Sequence, residues 1–106
     1  MEIYTDGPRL VLAGDFDVRS TWEVRTALYD HMAAYEDDVV LDLSQVTTID
    51  ITALKVLAVA TRYAHAHDHH LTLRGCRPAV RRLQLISRLG RMLEVESGSV
   101  ATRASA

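Results

Sequence analysis

The residues whose types and spacing best suit chemistry are Asp50, Ile51 and Thr52, which follow an apolar, β-branched run over residues 39–43. An aspartate directly before apolar residues at helical spacing is typical of a helix N-terminus. The first turn of a helix leaves N–H groups unpaired and carries a partial positive charge. A phosphate on the Thr52 hydroxyl would be well accommodated there. The pattern indicates a surface switch and not a catalytic cleft.

Asp15, Asp17 and Asp50 are the carboxylates that acid–base catalysis would use. Nothing in the sequence places them around one pocket, and no nucleophile stands in a pattern with a basic partner. Cys76 follows a predicted strand and is interpreted as a half-buried thiol without a redox role. We therefore expect no enzyme activity and no cofactor.

Histidines cluster at the end of a helix predicted over residues 51–65. If the helix continued to His70, His65 and His69 would share a face and could hold zinc or nickel together with Asp68. Histidine runs at helix ends are commonly solvated, and the helix C-terminus favours positive charge. We favour solvated histidines and predict no functional metal site.

Arginines without acidic neighbours mark the predicted third helix. Such a cluster can bind nucleic-acid phosphates, but this one lacks interleaved aromatic residues and a glycine-rich loop. The net charge of −2 gives no general attraction to polyanions. A solvated helix face is favoured, and no nucleic-acid binding is expected. The arginines are Arg81, Arg82, Arg88 and Arg91.

Strand and helix patterns alternate along the chain, and crossover helices favour parallel neighbouring strands. The predicted fold class is α/β: a small mixed sheet of about five strands with three or four helices packed against it. Ser20 and Glu23 have the form of a capping box for the first helix, and Gly90 is a natural stop for the third. The apolar face of the third helix is predicted to comprise Val80, Leu83, Leu85 or Ile86, and Leu89. Strands are predicted over residues 3–5, 10–13, 39–43, 71–74 and 92–95, helices over 21–35, 51–65 and from 78 to the stop at 90, and a polar interval over 44–48.

Length and composition fit one domain. A chain of 106 residues that is 48% hydrophobic can bury a single core. We predict one domain over residues 1–96 and a flexible tail over residues 97–106. No apolar run approaches the roughly 20 residues of a membrane span, and the start lacks a signal-peptide pattern. A cytoplasmic protein without membrane contact is expected.

Four segments occur in an informative order. Residues 14–17 are Gly-Asp-Phe-Asp, residues 39–43 form the apolar run, and residues 49–54 are Ile-Asp-Ile-Thr-Ala-Leu; Arg77 to Val80 then precede Leu89-Gly90. Together they resemble the STAS domain, the family of sulphate-transporter tails and bacterial anti-sigma factor antagonists. In that family the matching features are a Gly-Glu-Leu-Asp turn, a central strand, an Asp-Ser-Ser/Thr-Gly-Leu signature and a last helix. The likeness covers residues 10–95.

The resemblance implies a regulatory domain that binds an anti-sigma factor of the ATP-binding serine kinase type and so regulates sigma-factor-dependent transcription. The partner-binding residues it implies are Asp17, Asp50, Ile51, Thr52 and Lys55. From the residues alone, Asp17 is equally suited to be a turn residue before the first helix. A monomer or weak homodimer is expected.

The sequence departs from the family at the phosphoacceptor. The family's phosphorylated hydroxyl directly follows the aspartate, where this chain has Ile51, and Ala53 replaces the family's glycine. Three outcomes follow: Thr52 accepts the phosphate, the partner is bound constitutively, or the partner is of another type. The alternative function is a non-phosphorylated STAS scaffold subunit of a signalling or lipid-transport assembly. Further phosphoacceptor candidates are Ser20, Thr21, Thr47 and Thr48.

Overall fold

The computed structural model describes residues 1–35, 38–87 and 89–95, so Arg88 and the predicted tail lie outside the described residues. Within that part, five strands form one sheet in the order β1-β2-β3-β4-β5. The elements are β1 Glu2–Asp6, β2 Arg9–Phe16, α1 Thr21–Ala34, β3 Val39–Ile49, α2 Ile51–Ala66, β4 Leu71–Arg74, α3 Pro78–Ser87, a 3₁₀-helix Leu89–Met92 and β5 Glu94–Val95.

The sheet is mixed. Strand β1 runs antiparallel to β2, whereas β2, β3, β4 and β5 are parallel neighbours. The helices of the crossover connections supply the length that parallel neighbours require. The predicted α/β class, with about five strands and three or four helices, is confirmed.

The β1–β2 hairpin closes over Gly7 and Pro8, with Asp6 opposite Arg9. Gly7 has a φ of +60°, a left-handed conformation that favours glycine. Beyond the turn, Arg9 donates to Asp6 at 2.7 Å and to the buried Asp42 at 3.2 Å. This pairing satisfies a carboxylate that would otherwise be costly to bury.

One apolar core joins the sheet to the helices. Helix α2 buries Leu54, Leu57 and Ala58 on one face, while α1 contributes Val24 and Leu28. Fully burying a leucine side chain contributes roughly 1.5–3 kcal/mol relative to an exposed one. The strands supply Leu10, Leu12, Leu41, Leu43, Leu71 and Leu73 to the same cluster.

The predicted polar interval over residues 44–48 is wrong, because β3 continues to Ile49. Val46 is fully buried, and the parallel pairing with β2 extends to Phe16 opposite Ile49. Two register irregularities interrupt this pairing, so β3 accommodates extra residues as bulges do. Asp50 therefore lies just beyond the carboxyl end of this long central strand, directly before the start of α2.

The predicted end and apolar face of the third helix are partly wrong. Helix α3 ends at Ser87, and Gly90 lies in the following 3₁₀-helix. Val80 is buried, but Leu85 is 84% exposed and Ile86 72% exposed. Leu83 and Leu89 are partly buried against the core as predicted, and the polar Gln84 is buried one turn from Val80.

Candidate docking surface at the start of helix α2

Asp50 is the N-cap of α2. Its backbone is extended, with a φ of −108° and a ψ of 175°, and its Oδ1 accepts a hydrogen bond from the Ala53 N–H at 2.8 Å. This bond satisfies one of the amide groups that a helix N-terminus leaves unpaired. The predicted capping role of Asp50 is therefore confirmed.

The same carboxylate also holds the β2–α1 loop. Oδ2 of Asp50 accepts from the Val18 N–H at 3.0 Å, and the Asp50 N–H donates to the Phe16 carbonyl at 3.3 Å. A single side chain thus ties two segments that are 32 residues apart in sequence. Sequence reasoning missed Val18, since no local pattern signals a contact across such a separation.

Asp17 lies in this loop and pairs with Arg19. Its Oδ2 accepts from Arg19 Nη2 at 2.6 Å, and its Oδ1 accepts from the Arg19 Nε at 3.1 Å and from the Arg19 N–H at 3.0 Å. These bonds, the side-chain bond first, lower the pKa of Asp17 below its ordinary value of 3.8. The carboxylate is therefore ionised and already oriented at the surface.

Ser20 does not form the predicted capping box. It is the N-cap residue of α1, but its side chain makes no cap hydrogen bond. Instead, its buried hydroxyl accepts from the Asp17 N–H and lies 3.2 Å from the Asp15 carbonyl oxygen. Because the Ser20 hydroxyl is hydrogen-bonded within the loop, it does not cap the helix, and it fixes the position of Asp17 instead.

The other hydroxyl candidates are engaged as well. Thr47 and Thr48 donate to Asp15 Oδ1 at 2.7 and 2.8 Å, and these two bonds lower the pKa of the Asp15 carboxyl. Thr21 donates to the Val18 carbonyl at 3.1 Å. In the described part of the chain no hydrogen bond reaches the hydroxyl of Thr52, whose side chain is exposed. Thr52 is thus the candidate phosphoacceptor whose hydroxyl has no hydrogen bond among the described residues.

The residues that the family resemblance pointed to come together at this place. Ile51 is 42% exposed beside Thr52, Lys55 follows one helical turn later, and Val18 of the loop is 62% exposed. The arrangement presents two apolar side chains and a hydroxyl without a hydrogen bond among the described residues, framed by two carboxylates and one lysine. We call Asp17, Val18, Asp50, Ile51, Thr52 and Lys55 the docking surface.

Residues 2–94 match the sequence model of a family described as Mlab, STAS domain. This chain belongs to the STAS domain family. No curated protein matches its sequence. The matched range contains every element of the described fold up to the first residue of β5, and therefore the whole docking surface.

Three solved proteins have a fold similar to this STAS domain. A putative anti-sigma factor antagonist from Thermotoga maritima has a TM-score of 0.74 at 15% identity, with 95% of this chain and 92% of that chain covered. An anti-sigma factor antagonist from Mycobacterium paratuberculosis has a TM-score of 0.71 at 20% identity, covering 89% and 81%. The anti-sigma factor antagonist SpoIIAA in its unphosphorylated form has a TM-score of 0.69 at 14% identity, covering 99% and 96%. At these identities the likeness shows a common fold.

The rival metal site of this STAS domain does not assemble as the sequence allowed. Helix α2 ends at Ala66, so His65 and His69 do not share a continuous helix face. Among the described residues, no three histidine, cysteine, aspartate or glutamate side chains are grouped to hold a metal ion. The condition under which the histidine pair could bind zinc or nickel is not met.

Arg77, directly before α3, has a structural contact. It donates through Nε to the Ser44 carbonyl at 3.1 Å, which ties the start of α3 to β3. Arg81 is half-buried, whereas Arg82 is exposed.

Over residues 1–35, 38–87 and 89–95, no helix has the length and apolar character needed to cross a bilayer.

Proposed function

We propose that this STAS domain is an anti-sigma factor antagonist. It binds an anti-sigma factor of the ATP-binding serine kinase type through the docking surface and so regulates sigma-factor-dependent transcription. It acts in the cytoplasm by binding, as a monomer or weak homodimer, and not as an enzyme. The observation that carries the proposal is the open start of α2, where Ile51 and Thr52 are exposed beside a carboxylate that ties two segments together. The proposal is supported by two proteins with the same fold that are anti-sigma factor antagonists and a third that is described as a putative one.

The docking surface is organised before any partner arrives. Asp50 fixes the loop against α2, and the Arg19 pairing fixes Asp17. Preorganised groups lose little conformational entropy on binding, so more of the contact energy contributes to affinity. The exposed apolar side chains of Ile51 and Val18 can serve as anchors, since a few such residues dominate most interfaces.

Thr52 is the proposed switch. A phosphate there would add a charge of about −1.5 to −2 and would gain roughly 0.3–1 kcal/mol from the start of α2, partly opposed by Asp50. Within a complex the phosphate would have to be desolvated, and charge mismatches at buried contacts cost about 2–5 kcal/mol. Phosphorylation would therefore release the partner. SpoIIAA, which has a similar fold, is described in its unphosphorylated form.

A second candidate function is a permanently docked STAS subunit of a signalling or lipid-transport assembly. Two observations favour it. Ile51 occupies the position where the family carries its phosphorylated hydroxyl. The description of the matching family model names Mlab and does not mention an antagonist. In this case the docking surface binds without being modified.

One experiment tests both candidates. The domain is incubated with purified serine-kinase-type anti-sigma factors, one at a time, without ATP and with Mg-ATP, and is then analysed by size-exclusion chromatography and intact-mass spectrometry. Without ATP the antagonist proposal expects a complex. With Mg-ATP it expects transfer of the γ-phosphate to Thr52 with ADP as product and release of the partner, whereas the Thr52→Val variant acquires no phosphate and stays bound. A stable complex without phosphate supports constitutive binding. Absence of both a complex and a phosphate across the panel would overturn the antagonist proposal.

A further inference from the structure

A groove between α1 and α2 adjoins the docking surface. Thr52 and Lys55 belong to both, and the groove continues away from the start of α2. Its walls come from two helices that the core holds together, so its shape is fixed by packing. The lining residues are Arg25, Tyr29, Thr52, Lys55, Val56 and Val59.

Exposed apolar side chains lie in this groove and beside it. Val59 lines the groove and is 57% exposed, and Trp22, which lies beside the lining residue Arg25, is 73% exposed. The Arg25 guanidinium lies 5.9 Å from the Trp22 ring centroid and 5.6 Å from that of Tyr29, within the range of cation–π attraction. Tyr29 in turn meets Tyr63 edge to face, with ring centroids 5.0 Å apart. Tryptophan, tyrosine and arginine are the residue types that most often dominate binding energy.

The charge of the groove has one sign. Arg25 and Lys55 are its charged lining residues, and no carboxylate lines it. In the described part of the chain neither cation forms an ion pair. The nearby Glu23 lines a different cleft, together with Asp15 and Asp17. The groove therefore offers apolar walls and two uncompensated positive charges.

We propose that this groove receives an acidic, amphipathic helix of the bound partner. Its apolar side chains would pack on Trp22 and Val59, and its carboxylates would pair with Arg25 and Lys55. The inference rests on the proposed function, in that the segment belongs to the anti-sigma factor that occupies the docking surface. It extends the interface from the start of α2 onto α1, where the family resemblance placed no contact residue.

The chain contains a single tryptophan, Trp22, and its ring lies 5.9 Å from the guanidinium of the lining residue Arg25, so its emission reports a peptide bound beside it. The probes are three helical peptides without tryptophan that share one leucine stripe and carry glutamate, glutamine or lysine beside it. The acidic peptide is expected to shift the Trp22 emission and to bind at least about tenfold more tightly than the basic peptide, with an affinity that falls as salt rises. Equal affinities for the three peptides, or an unchanged emission with all of them, would overturn the proposal.

Variants locate the effect. Arg25→Glu and Lys55→Glu are each expected to weaken binding of the acidic peptide by about tenfold. Arg62→Glu is the matched control, because Arg62 is an exposed arginine of α2 that lines another cleft. An equal loss with Arg62→Glu would mean that net charge, and not the groove, attracts the peptide. Arg25→Gln, with circular dichroism for each variant, separates loss of charge from loss of fold.

The peptide assay needs no anti-sigma factor, so its outcome is independent of the proposed function. If the acidic peptide binds but no anti-sigma factor does, the groove stands and the antagonist proposal fails. If an anti-sigma factor binds with unchanged affinity to Arg25→Glu, the antagonist proposal stands and the groove has no part in that interface.

Discussion

At its start, α2 presents Ile51 and Thr52 to solvent, whereas at its far end the ring of His67 and the backbone N–H of His69 make contacts within the domain. The ring of His67 stacks on Tyr63 with centroids 4.3 Å apart, and its Nδ1 lies 2.8 Å from the Tyr63 carbonyl oxygen. The His69 N–H donates to the Ala64 carbonyl at 2.9 Å and so caps the helix C-terminus. Both ends of α2 thus carry residue types that could take part in binding or chemistry, but those at the start are exposed and those at the far end complete the helix C-terminus.

The two ends of α2 differ in which of their polar groups already have hydrogen-bond partners within the domain. At the start of α2, one carboxylate satisfies the backbone of two segments and leaves the neighbouring Thr52 hydroxyl available. At the far end, Asp68 adopts a left-handed φ of +61° to turn the chain, and the flanking histidines complete that turn. A cluster of reactive residue types is therefore weak evidence for a site until their hydrogen-bonding groups are accounted for.

The largest effect is expected when a charge is placed on the apolar part of the docking surface. Ile51→Glu is expected to weaken the anti-sigma factor complex by about 3 kcal/mol or more, roughly a hundredfold, because the new carboxylate must be desolvated at the contact. Isothermal titration calorimetry measures the loss, and thermal unfolding checks that the domain still folds.

Leu85→Glu is the matched control for Ile51→Glu. It introduces the same charge at an exposed apolar residue on α3, away from the docking surface. It is expected to leave the affinity unchanged. If both variants bind equally well, the partner docks elsewhere on the domain.

A second test compares Asp50, which caps the start of α2, with Asp38, whose side chain accepts a hydrogen bond from the chain that follows α2. Asp50→Ala removes acceptors from the Ala53 and Val18 N–H groups and is expected to lower the free energy of unfolding by about 2 kcal/mol. Asp38→Ala removes the acceptor of the exposed His70 N–H and is expected to cost about 0.5–1 kcal/mol. Urea unfolding gives both values.

Hydrogen exchange shows which backbone amides lose protection in the Asp50→Ala variant. The amides of Val18 and Ala53 are expected to exchange faster in this variant, while those of the central strands keep their protection. Equal losses of stability for Asp50→Ala and Asp38→Ala would contradict the central role given to Asp50.

Features that depend on neighbouring residues were predictable from the sequence. Helix α2 was predicted over residues 51–65 and ends one residue later, because Asp50 signals the cap and the apolar spacing follows it. Strand β4, Leu71–Arg74, was predicted with its observed bounds from alternation and the glycine that follows. Asp50 and the accessible Thr52 were identified for the same local reason.

Features that depend on contacts distant in sequence were not predictable in this way. The extension of β3 to Ile49 follows from pairing with β2, and the Ser20 hydroxyl is used by the loop in place of the helix it precedes. The bond from Val18 to Asp50 spans 32 residues and leaves no periodic signal. The groove lined by Arg25 also needed the packing of α1 on α2 before its residues could be seen together.

The smallest expected effect concerns the carboxylate that engages Thr47 and Thr48 beside the docking surface. Their hydrogen bonds, that of Thr47 first, hold the pKa of Asp15 below its ordinary value of 3.8. A group whose pKa is lowered by folding stabilises the fold above its unfolded-state pKa and loses that contribution as the pH falls through its folded-state pKa. The wild-type domain should therefore lose stability as the pH falls below about 4, and Asp15→Asn, which does not titrate, should lose less.

Urea unfolding of the Asp15 variant at a series of pH values between about 6 and about 3 measures this difference in slope. The control is Asp30→Asn, an exposed carboxylate on α1 for which the described residues supply no hydrogen-bond donor. Asp15→Asn should flatten the acid limb more than Asp30→Asn does, although the exposure of Asp15 and solvent screening keep the difference small. Identical acid limbs for the two variants would mean that Thr47 and Thr48 do not hold Asp15 in solution. Their hydroxyls would then be as available for modification as that of Thr52, and the contrast between one open hydroxyl and its engaged neighbours would be lost.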